Sequence, residues 1–143
     1  MSIKHIFLIV VLISFSSAFA QEKSPAAKSA DGPQIEFSET EFDFGTAPQE
    51  TEVKHTFIFK NVGTDTLKIS EVKTSCGCTA AESSKIILPQ KNGQIDVVYT
   101  TGHSIGQVSK TVFIYSNSVD SPYSSVSIRG MVKGKTPKTN EGS

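Results

Sequence analysis

Tryptophan is missing from the 143 residues, and cysteine and methionine occur only twice each. Each scarcity removes a class of protein. A small domain stapled by disulfides needs several widely spaced cysteines, and an antibody-type sandwich needs two distant cysteines packed on a tryptophan. Here both cysteines fall in Cys76-Gly77-Cys78-Thr79, one residue apart, so they cannot join distant parts of a fold. Charge of one sign is also lacking, because 14 basic residues balance 14 acidic ones. Nothing therefore favours a nucleic acid or an anionic lipid surface as a partner. HExxH is absent, no nucleophile elbow is expected, and the histidines have no motif partner, so the chain does not read as an enzyme.

Long apolar runs are scarce too, and the one present lies at the start. Lys4 precedes an apolar stretch at 6–15, and Ser17-Ala18-Phe19-Ala20 supplies the small-residue pattern of a signal-peptidase site before Gln21. The run is too short to span a bilayer, and no cysteine follows it to be acylated. We expect a signal peptide at 1–20 and a mature chain exported to a periplasm or beyond the cell, without a membrane span. Residues 21–33 (QEKSPAAKSADGP) read as a flexible linker and 133–143 as a flexible tail. Between them, 34–132 suits one domain with its own core.

That domain shows strand periodicity throughout and no helical periodicity. Gln34 to Phe37 begins it. Phe42 and Phe44 alternate with Glu41 and Asp43, and Gly45 is expected to end that strand. Val53, Phe57 and Phe59 share one face of a longer strand, opposite Lys54, Thr56 and Lys60. Apolar parity shifts after Ser70-Glu71, which predicts a bulge or a sheet switch there. Further strands follow at Ile86 to Leu88, around Ile95, Val97 and Tyr99, around Val112 and Ile114, and around Val126 and Ile128. The expected fold is all-β, an immunoglobulin-like antiparallel β-sandwich of about seven to eight strands.

Phe42-Asp43-Phe44-Gly45, the run from His55 to Gly63, Cys76-Gly77-Cys78-Thr79, Lys110-Thr111-Val112 with Ser116-Asn117, and Ile128-Arg129-Gly130 carry a resemblance. In this order they resemble the exported bacterial "domain of unknown function 1573" family over nearly all of Phe37 to Val132. More distantly the chain is similar to the sandwich domains of major sperm protein, abnormal-spindle and hydin proteins. The resemblance implies an exported immunoglobulin-like sandwich and no assigned activity. One departure is Pro89-Gln90, where the family usually has Pro-Gly, so this turn is expected to take another type. Asn61 with Gly63 suits a strand exit in which Asn satisfies backbone donors and Gly takes positive φ. Asn117 reads the same way. Gly130, on the inward parity, implies close approach of another backbone.

Three fates are open to Cys76 and Cys78. They can pack as reduced thiols at a sheet edge, close a local disulfide helped by the freedom of Gly77, or hold a soft ion such as Cu(I) together. We take them in that order. Two ligands fall short of a full metal site, and the only further candidate is His103, in a loop. His55, on the parity of Phe57, reads as a packed core-edge residue. Glu36, Glu39, Glu41, Asp43, Glu50 and Glu52 read as a solvated strand face rather than a Ca²⁺ site. No cofactor is expected. The reading is thus a non-catalytic binding or structural module with an envelope or extracellular protein as partner. The alternative is a small thiol protein that binds copper or exchanges a disulfide through Cys76 and Cys78.

Overall fold

The computed structural model of the chain describes residues 31–135. The expected signal peptide, most of the expected linker and most of the tail lie outside the described residues. The strands are β1 (Ile35–Phe37), β2 (Glu41–Pro48), β3 (Glu52–Asn61), β4 (Leu67–Thr74), β5 (Thr79–Ser83), β6 (Ile86–Ile87), β7 (Asn92–Thr100), β8 (Gly106–Ser116) and β9 (Tyr123–Lys133). They form a four-stranded sheet, β1-β3-β7-β5, facing a five-stranded sheet, β2-β9-β8-β4-β6. The architecture is an immunoglobulin-like β-sandwich.

Period-two alternation builds both inner faces. Phe57, Phe59, Ile95, Val97 and Tyr99 from the first sheet meet Leu67, Ile69, Val112, Ile114, Val126 and Ile128 from the second, none more than 4% exposed. Burying each such side chain is worth about 1.5–3 kcal/mol, and the residues between them, polar except for Ile58, Val98 and Phe113, face outward. The expected bulge is present as a register shift between Ile69 and Glu71, where β4 pairs with β8.

Several details depart from expectation. Nine strands are present among the described residues rather than seven or eight, the addition being β5, whose sequence Thr-Ala-Ala-Glu-Ser carries no apolar alternation. The sandwich is not wholly antiparallel, because β2 runs parallel to β9, with Phe42 beside Ile128. Gly45 does not end its strand. It sits at φ +66° where the register shifts between Asp43 and Thr46, its N–H donating to Asp43 Oδ1 at 2.8 Å, and β2 continues to Pro48. Gly130 faces a side chain, not a backbone: a Cβ there would meet Phe44 Cδ2 at 2.6 Å.

Hydrogen bonds and strand pairing also reach residues on either side of 34–132. Thr64 N donates to Gly32 O and Val119 N to Pro33 O, each at 2.9 Å, so the last linker residues belong to the fold. Lys133 lies in β9 and Lys135 pairs with Glu50.

Asn61 closes this end of the sandwich. It is fully buried, accepts from Gly63 N at 3.1 Å and Gln34 N at 3.3 Å through Oδ1, and donates to Asp65 O at 2.8 Å and Ile87 O at 2.9 Å. Its side chain thereby ties the segment before β1, the β3–β4 loop and β6 together. Gly63 is not at positive φ, contrary to expectation. It is required because a Cβ would lie 2.9 Å from the Pro33 carbonyl carbon. The Pro89-Gln90 turn keeps a left-handed residue after all: Gln90 itself adopts φ +63°. Its N–H donates to Asn61 O at 2.8 Å and its Nε2 to Val62 O at 3.1 Å, and these bonds hold a conformation that glycine would take more cheaply.

Candidate functional site

The Cys76-Gly77-Cys78 turn connects β4, in one sheet, to β5, in the other. Both sheets fasten it. Ser75 N donates to Thr111 O at 2.9 Å, Thr111 N returns a bond to Ser75 Oγ at 3.0 Å, and Thr100 N donates to Cys78 O at 2.9 Å. Within the turn, Thr74 Oγ1 and Thr79 N donate to Cys76 O at 3.0 and 3.3 Å.

The two sulfurs are bonded to each other, with the Cα atoms 5.4 Å apart. The favoured expectation of two reduced, packed thiols therefore differs from the structure. It assumed an extended segment, whereas the chain turns here and brings the sulfurs together. Gly77 is exposed, with no atom within 4 Å of where a Cβ would stand. Cys78 packs against the core, and Cys76 Sγ lies 3.5 Å from the hydroxyl of buried Thr79.

His103 is not brought to the sulfurs. Its side chain is 88% exposed and its Nδ1 lies 2.9 Å from Glu50 Oε1. Lys135, hydrogen-bonded to Glu50, holds that carboxyl below its usual range. Among the described residues no three His, Cys, Asp or Glu side chains converge as a metal site would need. The acidic residues are spread among separate partners instead. Glu41 and Asp43 face Arg129 at 2.9 and 3.4 Å, Glu39 faces His55 at 2.8 Å, and Glu52 faces Lys54 at 3.1 Å. His55 also stacks on Phe42 with ring centroids 3.7 Å apart, as its packed reading requires.

Gly102-His103-Ser104-Ile105-Gly106 has the letters of a nucleophile elbow, which sequence reading passed over. It joins β7 to β8, with no helix after it, and Ser104 is exposed. A strand-turn-helix context is what gives that motif its chemistry. No hydrogen bond links Ser104 to His103 among the described residues.

The remaining motif residues, Phe42, Phe44, Gly45, Phe57, Phe59, Asn61, Gly63, Asn117 and Gly130, occupy the frame of the sandwich. Asn117 accepts from Lys68 N at 2.7 Å and donates to Thr66 O at 3.2 Å, standing in for a strand neighbour.

The feature that sequence reading missed is the edge formed by β5. Thr100 N bonds Cys78 O and Ser84 N bonds Gln94 O, which fixes the antiparallel alternation along β5 and β7. Ala80 and Glu82 direct their backbone groups to β7, and Ala81 and Ser83 direct theirs outward. No backbone bond reaches those outward groups among the described residues. Ser83 Oγ is buried without a partner. Ala80, Ala81 and Val98, with Glu82 and Asp96, line a cleft of about 170 Å³ beside this strand. A run of small residues directly after the Cys-Gly-Cys turn was the available signal.

Fold and edge together define an immunoglobulin-like β-sandwich with an open strand edge at β5. The chain belongs to the family described as protein of unknown function (DUF1573), whose model matches residues 35–132. No curated protein matches it. Among solved structures it is similar to a protein of unknown function from Porphyromonas gingivalis W83, at 17% identity and a TM-score of 0.62. That match covers 76% of this chain and 51% of the other, so the chain spans about half its length. It is also similar to PapD-like domain 7 of human CEP192, at 10% identity and TM-score 0.57, covering 72% and 87% of the two chains. The E. coli chaperone DraB matches at 10% identity and TM-score 0.51, covering 73% and 57%. At these identities the likeness concerns the fold alone.

Proposed function

We propose that the chain is an exported, non-catalytic binding module that receives an extended segment of another envelope or extracellular protein on the free edge of β5. The outward backbone groups of Ala81 and Ser83 carry this reading, because a strand added there would pair them by main-chain hydrogen bonds. The other edges are blunted in the ways proteins use against unwanted pairing. β1 has three residues and β6 two, and β2 carries a bulge, charged Glu41 and Asp43, and Pro48. β5 has only Glu82 to discourage a neighbour. Its small side chains leave room for a partner with small or apolar residues at alternate positions, and Glu82 with Asp96 disfavours an acidic one.

The test is selection of peptides on the full chain, followed by mapping of amide shifts. Bound peptides should shift Ala81 and Ser83 first, and Ala81→Pro, which removes one outward N–H, should abolish binding with the fold intact. Shifts confined to another surface, or binding unaffected by Ala81→Pro, would sink the edge reading. Export is tested separately by fractionating cells that express the chain with and without residues 2–20.

A further inference from the structure

We infer that Cys76–Cys78 is a thiol–disulfide exchange site for a dithiol or disulfide of another protein, with Cys76 as the attacked sulfur. The link has no stapling task. It spans one residue, so it removes little freedom from the unfolded chain, and the turn is already fastened by the Thr111 and Thr100 backbone bonds. A small ring closed at an exposed turn belongs to the readily reduced disulfides rather than the inert ones. The turn also presents its two sulfurs unequally. Both cysteines are half-buried and flank exposed Gly77, but of the two it is Cys78 that packs against the core cluster. Thr79 Oγ1, 3.5 Å from Cys76 Sγ, can donate to a thiolate there and so ease the departure of Cys76 from the mixed disulfide in the second displacement.

The exchange balances in two displacements. A thiolate of the partner attacks Cys76 Sγ, forming a mixed disulfide and expelling Cys78 as a thiolate that takes up a proton. The partner's second thiolate then attacks its own sulfur in the mixed disulfide, closing the partner's disulfide. Cys76 leaves as a thiolate stabilised by Thr79 and is protonated. Two electrons and two protons pass from the partner dithiol to the Cys76–Cys78 pair, and the reverse sequence reduces a partner disulfide. The site adjoins the start of β5 through Thr79, but its chemistry does not depend on what the outward groups of Ala81 and Ser83 bind.

The probe is glutathione. The full chain is equilibrated in buffers of graded reduced-to-oxidised glutathione, its thiols are alkylated, and intact mass counts them while circular dichroism monitors the fold. The pair should pass from oxidised to reduced within that series with the fold unchanged. In single-cysteine variants, Cys76 in Cys78→Ser should form the glutathione adduct about tenfold faster than Cys78 in Cys76→Ser. Adding Thr79→Val to Cys78→Ser should slow it about threefold. A disulfide that yields only on unfolding, equal or reversed adduct rates, or indifference to Thr79→Val overturns the inference.

Discussion

The ring of Phe44 on β2 lies over Gly130 on β9, so closely that a Cβ on Gly130 would stand 2.6 Å from Phe44 Cδ2. Pairing of Gly130 with Val108 on the other side holds β9 in place. Gly130→Ala should therefore destabilise the domain by about 2 kcal/mol through overpacking. Phe44→Leu should be mildly destabilising alone but should relieve part of the alanine penalty. A double-mutant cycle in urea checks this, with a coupling of at least about 1 kcal/mol expected.

Asn61→Ala leaves two buried N–H donors and two carbonyls without their side-chain partner, and a loss of about 3 kcal/mol is expected. Asn61→Asp should fare no better, since it keeps the acceptor for Gly63 N and Gln34 N but loses the donors to Asp65 O and Ile87 O. Equilibrium unfolding of both variants is the measurement, and near-wild-type stability of either would contradict the assigned network.

At position 90 the left-handed backbone favours glycine and the side-chain amide favours glutamine. Gln90→Ala loses the amide and keeps the strain, so it should be the least stable of the three. Gln90→Gly should exceed Gln90→Ala by about 1 kcal/mol. The ordering of melting temperatures tests this.

Thr56 Oγ1 donates to Asp96 Oδ1 and Gln94 Nε2 to Oδ2, each at 2.7 Å, and together they hold the Asp96 carboxyl below its usual range. The stabilisation is complete above the unfolded value of about 4 and is lost as pH falls through the lowered folded value. Thr56→Val should cost a few tenths of a kcal/mol at pH 7, given the partial exposure, and the difference should narrow on acidification. A difference that widens toward low pH would contradict this sign.

The two-layer core was legible because Phe57, Phe59, Ile95, Val97, Val112, Ile114, Val126 and Ile128 recur at every second position within their strands, and one buried face fixes register. The bulge after Ile69 was legible from the same parity. β5 was not, because Ala80 and Ala81 carry no contrast between inner and outer faces. Gly45 and Gly63 were recognised as special, but composition does not distinguish a bulge from a strand end, or close backbone approach from positive φ. At Cys76 and Cys78 the spacing left three fates open, and what separates them is whether the segment turns or stays extended. That is decided by bonds to Thr111 and Thr100, far away in the chain.

The parallel pairing of Phe42 with Ile128 has a consequence for how the molecule comes into being. Among the described residues an early strand finds its lateral neighbour in the last one, so no portion of the chain that stops short of β9 contains the finished second sheet. Such distant pairings make folding slow and leave unpaired edges open meanwhile. During synthesis β2 must wait for β9, and a chain cut short before Tyr123 keeps Phe42 and Phe44 without the surface that covers them. The second sheet is complete only once β9 has been made.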